Sequence, residues 1–267
     1  MLIHLFASDP SVFLLLPTLA EGNEIRAIIY PGNRASSDKV AALRDQVGDI
    51  PVFEHRRGEL LPDEVPDAEC AVSWFYSQIL PTQVLDRYSP GILNMHGGAL
   101  PDYRGASVLH WAIVNGETEL GITWHSLVEE VDAGPIWAET RIPLPASATA
   151  AEMRHKMITA AIDLFPDAWS KFRAGGEPIR VPDVARGCVW PQRYPKDGLI
   201  EPGWPEARLR NLVRALCPPW PPAYAMVSEE PFAVEIISER PIDGAIPYRT
   251  EEGRTVYLCA SEGTVPL

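Results

Sequence analysis

An amide, an imidazole and a carboxylate in this chain have the types and the spacing that acyl transfer needs. Asn94 and His96 are separated by one residue at the end of an apolar run, and Asp132 follows downstream. Alternate residues of a strand point to the same face, so Asn94 and His96 are predicted to project together. An amide can donate a hydrogen bond to a developing oxyanion, and a histidine beside a carboxylate can move protons near pH 7. These three side chains therefore predict an acyl-transfer site.

The elements that would position these residues are strands separated by helical stretches. Such alternation predicts an α/β fold with a doubly wound, mostly parallel sheet. Sheets of this kind carry their reactive groups at the carboxyl ends of the strands, where Asn94 and His96 lie. The first turn has no G-x-G-x-x-G sequence, so a dinucleotide is not indicated. The predicted strands of this part are Leu2–Ala7, Glu24–Tyr30, Pro51–Phe53, Cys70–Trp74, Gly91–Met95, Gly121–Leu127 and Pro135–Ile142.

The composition changes in the last third of the chain. The longest predicted helix is Thr149–Arg173, in which Pro166 is expected to cause a kink or a break. Residues 178–222 are rich in Pro and Trp, and residues 223–260 alternate in places as antiparallel strands do. We therefore predict a catalytic domain over residues 1–190 and a small C-terminal α+β, β-rich domain over residues 191–267.

Charge and cysteine usage limit the class of protein. A formal net charge of −13 over 267 residues disfavours a nucleic-acid partner, because that binding depends on Lys and Arg. The four cysteines form no C-x-x-C pair, so neither a metal site nor a redox motif is indicated. No signal peptide and no apolar run of the ~20 residues that a membrane helix needs are recognised. The expectation is a cytoplasmic protein without metal, membrane or nucleic acid.

Two stretches resemble the catalytic region of the 10-formyltetrahydrofolate-dependent formyltransferases. The first is Asn94-Met95-His96-Gly97-Gly98-Ala99-Leu100-Pro101-Asp102-Tyr103-Arg104-Gly105-Ala106, and the second runs from Gly116-Glu117 through Val131-Asp132-Ala133-Gly134. Weaker similarity resumes at Asp197-Gly198-Leu199-Ile200 and at Leu212–Leu216. The family includes methionyl-tRNA formyltransferase, glycinamide ribonucleotide formyltransferase, formyltetrahydrofolate hydrolase and the sugar N-formyltransferases. Many relatives have His-Pro-Ser where this chain has His96-Gly97-Gly98, which is more typical of the amino-sugar type.

The resemblance implies a role for each residue of the predicted site. Asn94 would hold the formyl oxygen, His96 would be the acid and base beside the amine, and Asp132 would pair with His96 and help order water. The co-substrate would be 10-formyltetrahydrofolate, with no metal. Relatives line the pterin pocket with the segment before the catalytic loop, although they often have Gly at the position of Ser77. The implied folate-binding residues are Tyr76, Gln78, Ile79, Leu80 and Val131, and the implied acceptor-binding residues are Tyr103 and Arg104.

The resemblance favours an N-formyltransferase that acts on a nucleotide-linked amino sugar, as a homodimer. Three enzyme alternatives share the quoted motifs: a formyltransferase for a siderophore or peptide amine, a methionyl-tRNA formyltransferase, and a formyltetrahydrofolate hydrolase. A folate-binding module without catalysis is the non-enzymatic alternative. His125, which alternates with Trp124 along a predicted strand, is interpreted as structural, and so are His110 and Trp111 on a predicted helix.

Overall fold

The computed structural model describes residues 1–32, 41 and 44–260, and the chain divides into two compact units. The first unit consists of Met1–Arg104, Gly121–Thr140 and Ile158–Cys188. The second consists of Gly105–Leu120, Arg141–Met157 and the described residues from Val189 onward. The domain boundary that we predicted after residue 190 stays a prediction.

The chain forms a seven-stranded sheet, most of it from residues of the first unit, as the predicted fold class requires. The strands are β1 (Leu2–Ala7), β2 (Glu24–Pro31), β3 (Val52–His55), β4 (Cys70–Trp74), β5 (Gly91–His96), β7 (Glu119–Ser126) and β8 (Ile136–Pro143), with the two-residue β6 (Arg104–Gly105) outside this sheet. Their order is β3-β2-β1-β4-β5-β7-β8. The first five are parallel, and β7 is antiparallel to β5. The predicted doubly wound, mostly parallel sheet is therefore confirmed.

Burial explains why the central strands are continuous apolar runs. All of β4 is buried, and so is β1 after its first residue, because a parallel strand inside the sheet is covered on both faces. The strand order reverses between β1 and β4, since the chain adds β2 and β3 on one side and β4 and β5 on the other. A reversal of this kind leaves a crevice at the carboxyl ends of the strands, where α/β proteins bind their ligands.

Short helices and one long helix accompany the sheet. A 3-10 helix (Pro10–Leu15) leads into α1 (Leu16–Leu19), α2 spans Thr82–Leu85, and a further 3-10 helix spans Val184–Arg186.

Helix α3 spans Val108–Val114. The long helix α4 (Ala150–Arg173) begins at a capping box. The backbone N–H of Thr149 donates to Glu152 and that of Glu152 donates back to Thr149 Oγ1. The helix runs through Pro166 without a break, so the break that we considered there does not occur. Phe165, which precedes that proline, is buried against Trp124 with ring centroids 4.9 Å apart.

The second unit has its own core and the predicted β-rich C-terminal part. Its elements are α3, β9 (Val189–Trp190), a 3-10 helix (Pro195–Gly198), α5 (Glu206–Ala215), β10 (Ala223–Val227), β11 (Glu230–Val234), β12 (Ile236–Ser238), β13 (Ile246–Arg249) and β14 (Thr255–Cys259). Strands β10 and β11 form an antiparallel hairpin, and β14 lies between β12 and β13 in a second antiparallel sheet. Leu209, Leu212 and Val213 of α5 are buried against apolar residues of these strands. Among the described residues no helix is long and apolar enough to cross a lipid bilayer.

Candidate active site

Asn94 and His96 lie side by side on β5, and their cross-strand partners are set by the antiparallel pairing with β7. Asn94 is directly opposite His125, and His96 is directly opposite Thr123. Residues opposite each other in a ladder have Cβ atoms about 4.5–5.5 Å apart, so their side chains meet. The predicted pair therefore shares one face of the sheet with two residues of β7.

The imidazole of His96 is buried and is held by a backbone carbonyl. Only 6% of its surface is exposed, and its Nε2 lies 2.5 Å from the carbonyl oxygen of Tyr103. A carbonyl oxygen only accepts hydrogen bonds, so Nε2 carries the proton and Nδ1 faces the other way. A Cβ atom on Gly98 would lie 2.7 Å from Nε2 and 2.5 Å from the same carbonyl oxygen. This contact between His96 and the loop therefore requires glycine at position 98.

Asp132 reaches both histidines of the site. Its Oδ2 lies 3.6 Å from Nδ1 of His96, and its Oδ1 lies 3.5 Å from Nε2 of His125. These distances exceed those of direct hydrogen bonds, and such contacts often shorten only when the substrate is bound. One carboxylate thus faces two imidazoles.

The backbone around Asp132 is unusual. Asp132 has φ of 48°, in the left-handed region that Asp tolerates better than most residues but at a cost of order 1 kcal/mol. A Cβ atom on Gly134 would lie 1.9 Å from the carbonyl oxygen of Ser126, so only glycine lets this loop approach β7 so closely. The Asp-Ala-Gly sequence is explained by these two requirements.

The structure adds His125 to the residues predicted from the sequence. This side chain is completely buried, and its Nε2 lies 3.0 Å from Nδ2 of Asn94. Its Nδ1 lies 2.9 Å from the carbonyl oxygen of Ser126. His125 links Asn94 to Asp132, and Asp132 in turn faces His96. The alternation of His125 with Trp124 favours a structural interpretation, since a pattern along one strand does not show which residue lies opposite.

An ion pair joins the two loops of the site. The Arg104 guanidinium donates to Glu130 over 2.7 Å, and the Arg104 side chain is only 8% exposed. Arg104 follows the loop that holds His96, and Glu130 lies two residues before Asp132. The charge of Arg104 is therefore directed at the protein itself, and Tyr103 contacts the site through its carbonyl oxygen. The acceptor-binding roles of both residues stay predictions.

The segment predicted to bind folate follows β4, beside the crevice of the sheet. The hydroxyl of Tyr76 lies 2.7 Å from Nδ1 of His55, and its ring packs edge-on against Phe6. Burial raises the pKa of Tyr76, so it stays neutral. Both polar atoms of the Gln78 amide are buried and have no hydrogen-bond partner within the part of the chain that the structure describes. Gln78 therefore has a donor and an acceptor to offer a ligand.

The remaining residues of the predicted folate site differ in exposure. Ile79 is 61% exposed, Leu80 is buried, and Val131 is half-buried in the loop before Asp132. Their contact with a folate stays a prediction. Within the described residues, no group of three or more His, Cys, Asp or Glu side chains is arranged to hold a metal ion.

Comparison with known proteins identifies a matching family model and several structures of the same fold. The family model described as formyl transferase matches residues 60–169, which contain Asn94, His96 and Asp132. A sugar N-formyltransferase from Shewanella sp FDAARGOS_354 is 16% identical, with a TM-score of 0.72 over 88% of this chain and 97% of that one. WlaRD, a sugar 3N-formyl transferase solved with dTDP and 5-N-formyl-THF, is 14% identical, with a TM-score of 0.68 over 97% of both chains.

A further structure with the same fold is HypX from Aquifex aeolicus in complex with tetrahydrofolic acid. It is 18% identical, with a TM-score of 0.63 over 96% of this chain and 43% of that one. At such identities the structures show a common fold, whereas the sequence match over residues 60–169 covers the strands and loops of the site. Residues 60–169 of this chain therefore match the formyl transferase family, and the fold is one that sugar N-formyltransferases also have.

Proposed function

We propose that this formyltransferase moves a formyl group from 10-formyltetrahydrofolate to the amine of a nucleotide-linked amino sugar. The observation that carries the proposal is the network of Asn94, His125, Asp132 and His96 at the end of β5. It places an amide donor beside a histidine and a carboxylate, as acyl transfer requires. The acceptor class is supported by the family and by the nucleotide and folate named for WlaRD, whose fold matches over 97% of both chains.

Asn94 would act on the formyl oxygen. When the amine attacks the formyl carbon, a carbon–nitrogen bond forms and negative charge develops on that oxygen. An N-formyl group is a poor electrophile, so a donor already fixed in place lowers the barrier more than a mobile water does. The Nδ2 group of Asn94 has two hydrogens, of which one is directed at His125. The second is left for the formyl oxygen.

His96 and Asp132 would transfer the proton. The attacking nitrogen must lose one proton, and the folate nitrogen must gain one when its bond to the formyl carbon breaks. With Nε2 bonded to Tyr103, the His96 nitrogen that can accept is Nδ1, and it faces Asp132. The pair would take up the proton and return it to the leaving nitrogen as one unit, so that no net proton is consumed.

The folate would be held where the sheet reverses its order. The segment after β4 and the loop before Asp132 both lie at the site's end of the strands. The buried, unpartnered amide of Gln78 fits a ligand whose pterin edge has donors and acceptors in alternation. Ile79 and Val131 would supply apolar contact. The homodimer also stays a proposal, which light scattering of the purified protein would check.

A panel of acceptors tests this function. Tetrahydrofolate release from 10-formyltetrahydrofolate would be followed with dTDP-, GDP- and UDP-linked amino sugars, ornithine derivatives, Met-tRNA and a control without acceptor. We expect turnover with an amino sugar. Turnover without any acceptor would instead show a hydrolase, and turnover confined to Met-tRNA or to an ornithine derivative would show one of the other transferases.

Variants connect the activity to the site. Asn94→Ala removes the oxyanion donor and should lower kcat roughly 10²–10³-fold, with little change in the Kd for 5-formyltetrahydrofolate. Asp132→Asn keeps a residue that tolerates the left-handed backbone and removes only the charge, so it should lower kcat while the protein stays folded. Full turnover in both variants would exclude the proposed chemistry.

A further inference from the structure

We infer that His125 is a positioning residue that holds the amide of Asn94 in the orientation of a hydrogen-bond donor. This inference rests on the proposed function, in which Asn94 must donate to the formyl oxygen. An asparagine amide can turn over and present its oxygen instead, and an oxygen there would repel the developing charge. The site therefore needs a group that distinguishes the two orientations.

The tautomer of His125 supplies that distinction. Its Nδ1 lies 2.9 Å from the carbonyl oxygen of Ser126, and a carbonyl oxygen can only accept. In the neutral ring Nδ1 therefore carries the hydrogen and Nε2 has a lone pair. Nε2 lies 3.0 Å from the terminal atom of Asn94, which must be the nitrogen for a hydrogen bond to form. The backbone carbonyl of Ser126 thus fixes the amide of Asn94 through the ring.

The position of His125 makes this control rigid. His125 and Asn94 are directly paired residues of β7 and β5, so the backbone ladder sets the distance between them. The ring is completely buried and packs edge-on toward His96, with ring centroids 6.0 Å apart. The second group near Nε2 is the Asp132 carboxylate at 3.5 Å, which is farther away than Asn94. Nε2 of His125 is thus closer to the Asn94 amide, which it orients, than to the Asp132 carboxylate.

The role differs from that of a catalytic residue. His125 has no free nitrogen with which to reach a substrate, because both ring nitrogens already have protein partners. Its effect would pass entirely through Asn94. The expected result of its loss is a lower kcat with the folate still bound.

Two substitutions test whether His125 acts as a hydrogen-bond acceptor for Asn94 or only fills the space. His125→Gln keeps an oxygen at about the position of Nε2, and His125→Phe keeps the ring volume without an acceptor. We expect His125→Phe to lose roughly 10²-fold in kcat, close to the loss from Asn94→Ala, and His125→Gln to recover most of it. The Kd for 5-formyltetrahydrofolate should stay within about threefold of the original in both variants, a difference of about 0.6 kcal/mol.

The matched control is Trp124→Phe, on the opposite face of the same strand. Trp124 is also completely buried and donates a hydrogen bond, from Nε1 to the carbonyl oxygen of Ala161. Its substitution should lower stability and leave kcat unchanged. Equal kcat values for His125→Phe and His125→Gln, or a His125→Phe variant as active as the original, would overturn the inference.

Nitrogen NMR tests the same contact without any acceptor substrate. In the original protein at pH 7.5, ¹⁵N shifts of His125 should show a protonated Nδ1 and an unprotonated Nε2. The Asn94 side-chain amide signal should shift in both His125 variants, and more in His125→Phe. A proton on Nε2 at that pH, in either the other tautomer or the imidazolium, would overturn the inference. Because the spectra need no turnover, their outcome does not depend on whether an amino sugar is the acceptor.

Discussion

The carbonyl oxygen of Tyr103 lies 2.5 Å from Nε2 of His96, so the loop that follows the histidine also selects its tautomer. The same loop is held in two further places. Thr123 donates through Oγ1 to the carbonyl oxygen of Gly98 over 2.9 Å, and Arg180 donates to that of Leu100 over 2.8 Å. A loop fixed at several points can orient an imidazole with little loss of entropy when the substrate arrives.

Gly98→Ala should break the contact between Tyr103 and His96. The added Cβ atom would meet both the carbonyl oxygen and Nε2 at less than 3 Å, so one of them has to move. We expect the ¹⁵N signal of the protonated Nε2 to shift or disappear and kcat to fall roughly 10²-fold, which is typical when a reacting group is misplaced by about 1 Å.

Asp132→Asn is the matched control for that spectrum. It changes the partner of Nδ1 and leaves the carbonyl of Tyr103 in place, so Nε2 should keep its proton. A Gly98→Ala protein with the original His96 spectrum would contradict the assignment of the tautomer to the loop.

Gly134→Ala should displace Asp132 from the two histidines. A Cβ atom at position 134 would lie 1.9 Å from the carbonyl oxygen of Ser126, and backbone atoms cannot yield as side chains do. The loop must move away from β7, and we expect kcat to fall roughly 10²-fold with the far-ultraviolet circular dichroism unchanged.

Gly176→Ala is the control for Gly134→Ala. Its Cβ atom would meet only the carbonyl oxygen of Lys171 at 3.5 Å, an ordinary van der Waals contact. Its kcat should equal that of the original protein. The interpretation of the Asp-Ala-Gly loop is wrong if Gly134→Ala retains full activity.

Local patterns in the sequence predicted well the strands that are short apolar runs. The bounds of Leu2–Ala7 and Cys70–Trp74 agree with the structure at both ends. The long helix was placed within one residue, but its tolerance of Pro166 depends on packing that a sequence pattern does not contain.

The site could be predicted only in part, because some of its contacts also depend on packing that a sequence pattern does not contain. The spacing of Asn94 and His96 shows that they share a face, and the resemblance pointed to Asp132. The pairing of Asn94 with His125 depends on the register between β5 and β7, and a shift by one residue would place Trp124 there instead. Register is a tertiary property, so the contact between His125 and Asn94 could be found only in the structure.

Arg214 should stabilise the second unit by donating hydrogen bonds to carbonyl groups that lie far from it in the sequence. Its guanidinium donates to the carbonyl oxygens of Ala148 at 2.9 Å, Pro145 at 3.2 Å and Ile113 at 3.5 Å. Burial lowers its pKa, yet it stays charged as arginine does. A buried carbonyl left unpaired costs about 1–3 kcal/mol, and the carbonyl oxygens of Pro145 and Ile113 also accept from backbone N–H groups, so Arg214→Leu should lower the free energy of unfolding by about 1–3 kcal/mol.

Urea unfolding followed by tryptophan fluorescence measures this loss. Arg208→Ala is the control, since the exposed Arg208 lies over the ring of Trp204 at 3.9 Å and such contacts contribute only about 0.5–1 kcal/mol. If the two variants lose equal free energies of unfolding, the hydrogen bonds of Arg214 do not stabilise the protein as expected.

Because of His4, the free energy of unfolding should decrease as the pH falls into the acid range. This residue of β1 is completely buried, and burial lowers its pKa from 6.5 to about 4. Between these two values the unfolded chain binds a proton that the folded chain does not, so stability decreases as the pH falls through this range. The full effect of such a difference is about 3 kcal/mol, and it is absent above about pH 7, where both states are neutral.

His4→Gln removes this titration and Tyr88→Phe does not. His4 Nδ1 lies 2.8 Å from the Tyr88 hydroxyl, and a glutamine oxygen could accept from that hydroxyl in its place. The free energy of unfolding would be measured by urea denaturation at intervals from pH 7.5 to 4. The difference between the original protein and His4→Gln should narrow by up to about 3 kcal/mol over that range, because only the original loses the contribution of His4. Tyr88→Phe still contains the buried His4, so its free energy of unfolding should still fall over that range. If the difference between the original protein and His4→Gln is constant with pH, the loss of stability in acid belongs to other groups and His4 does not cause it.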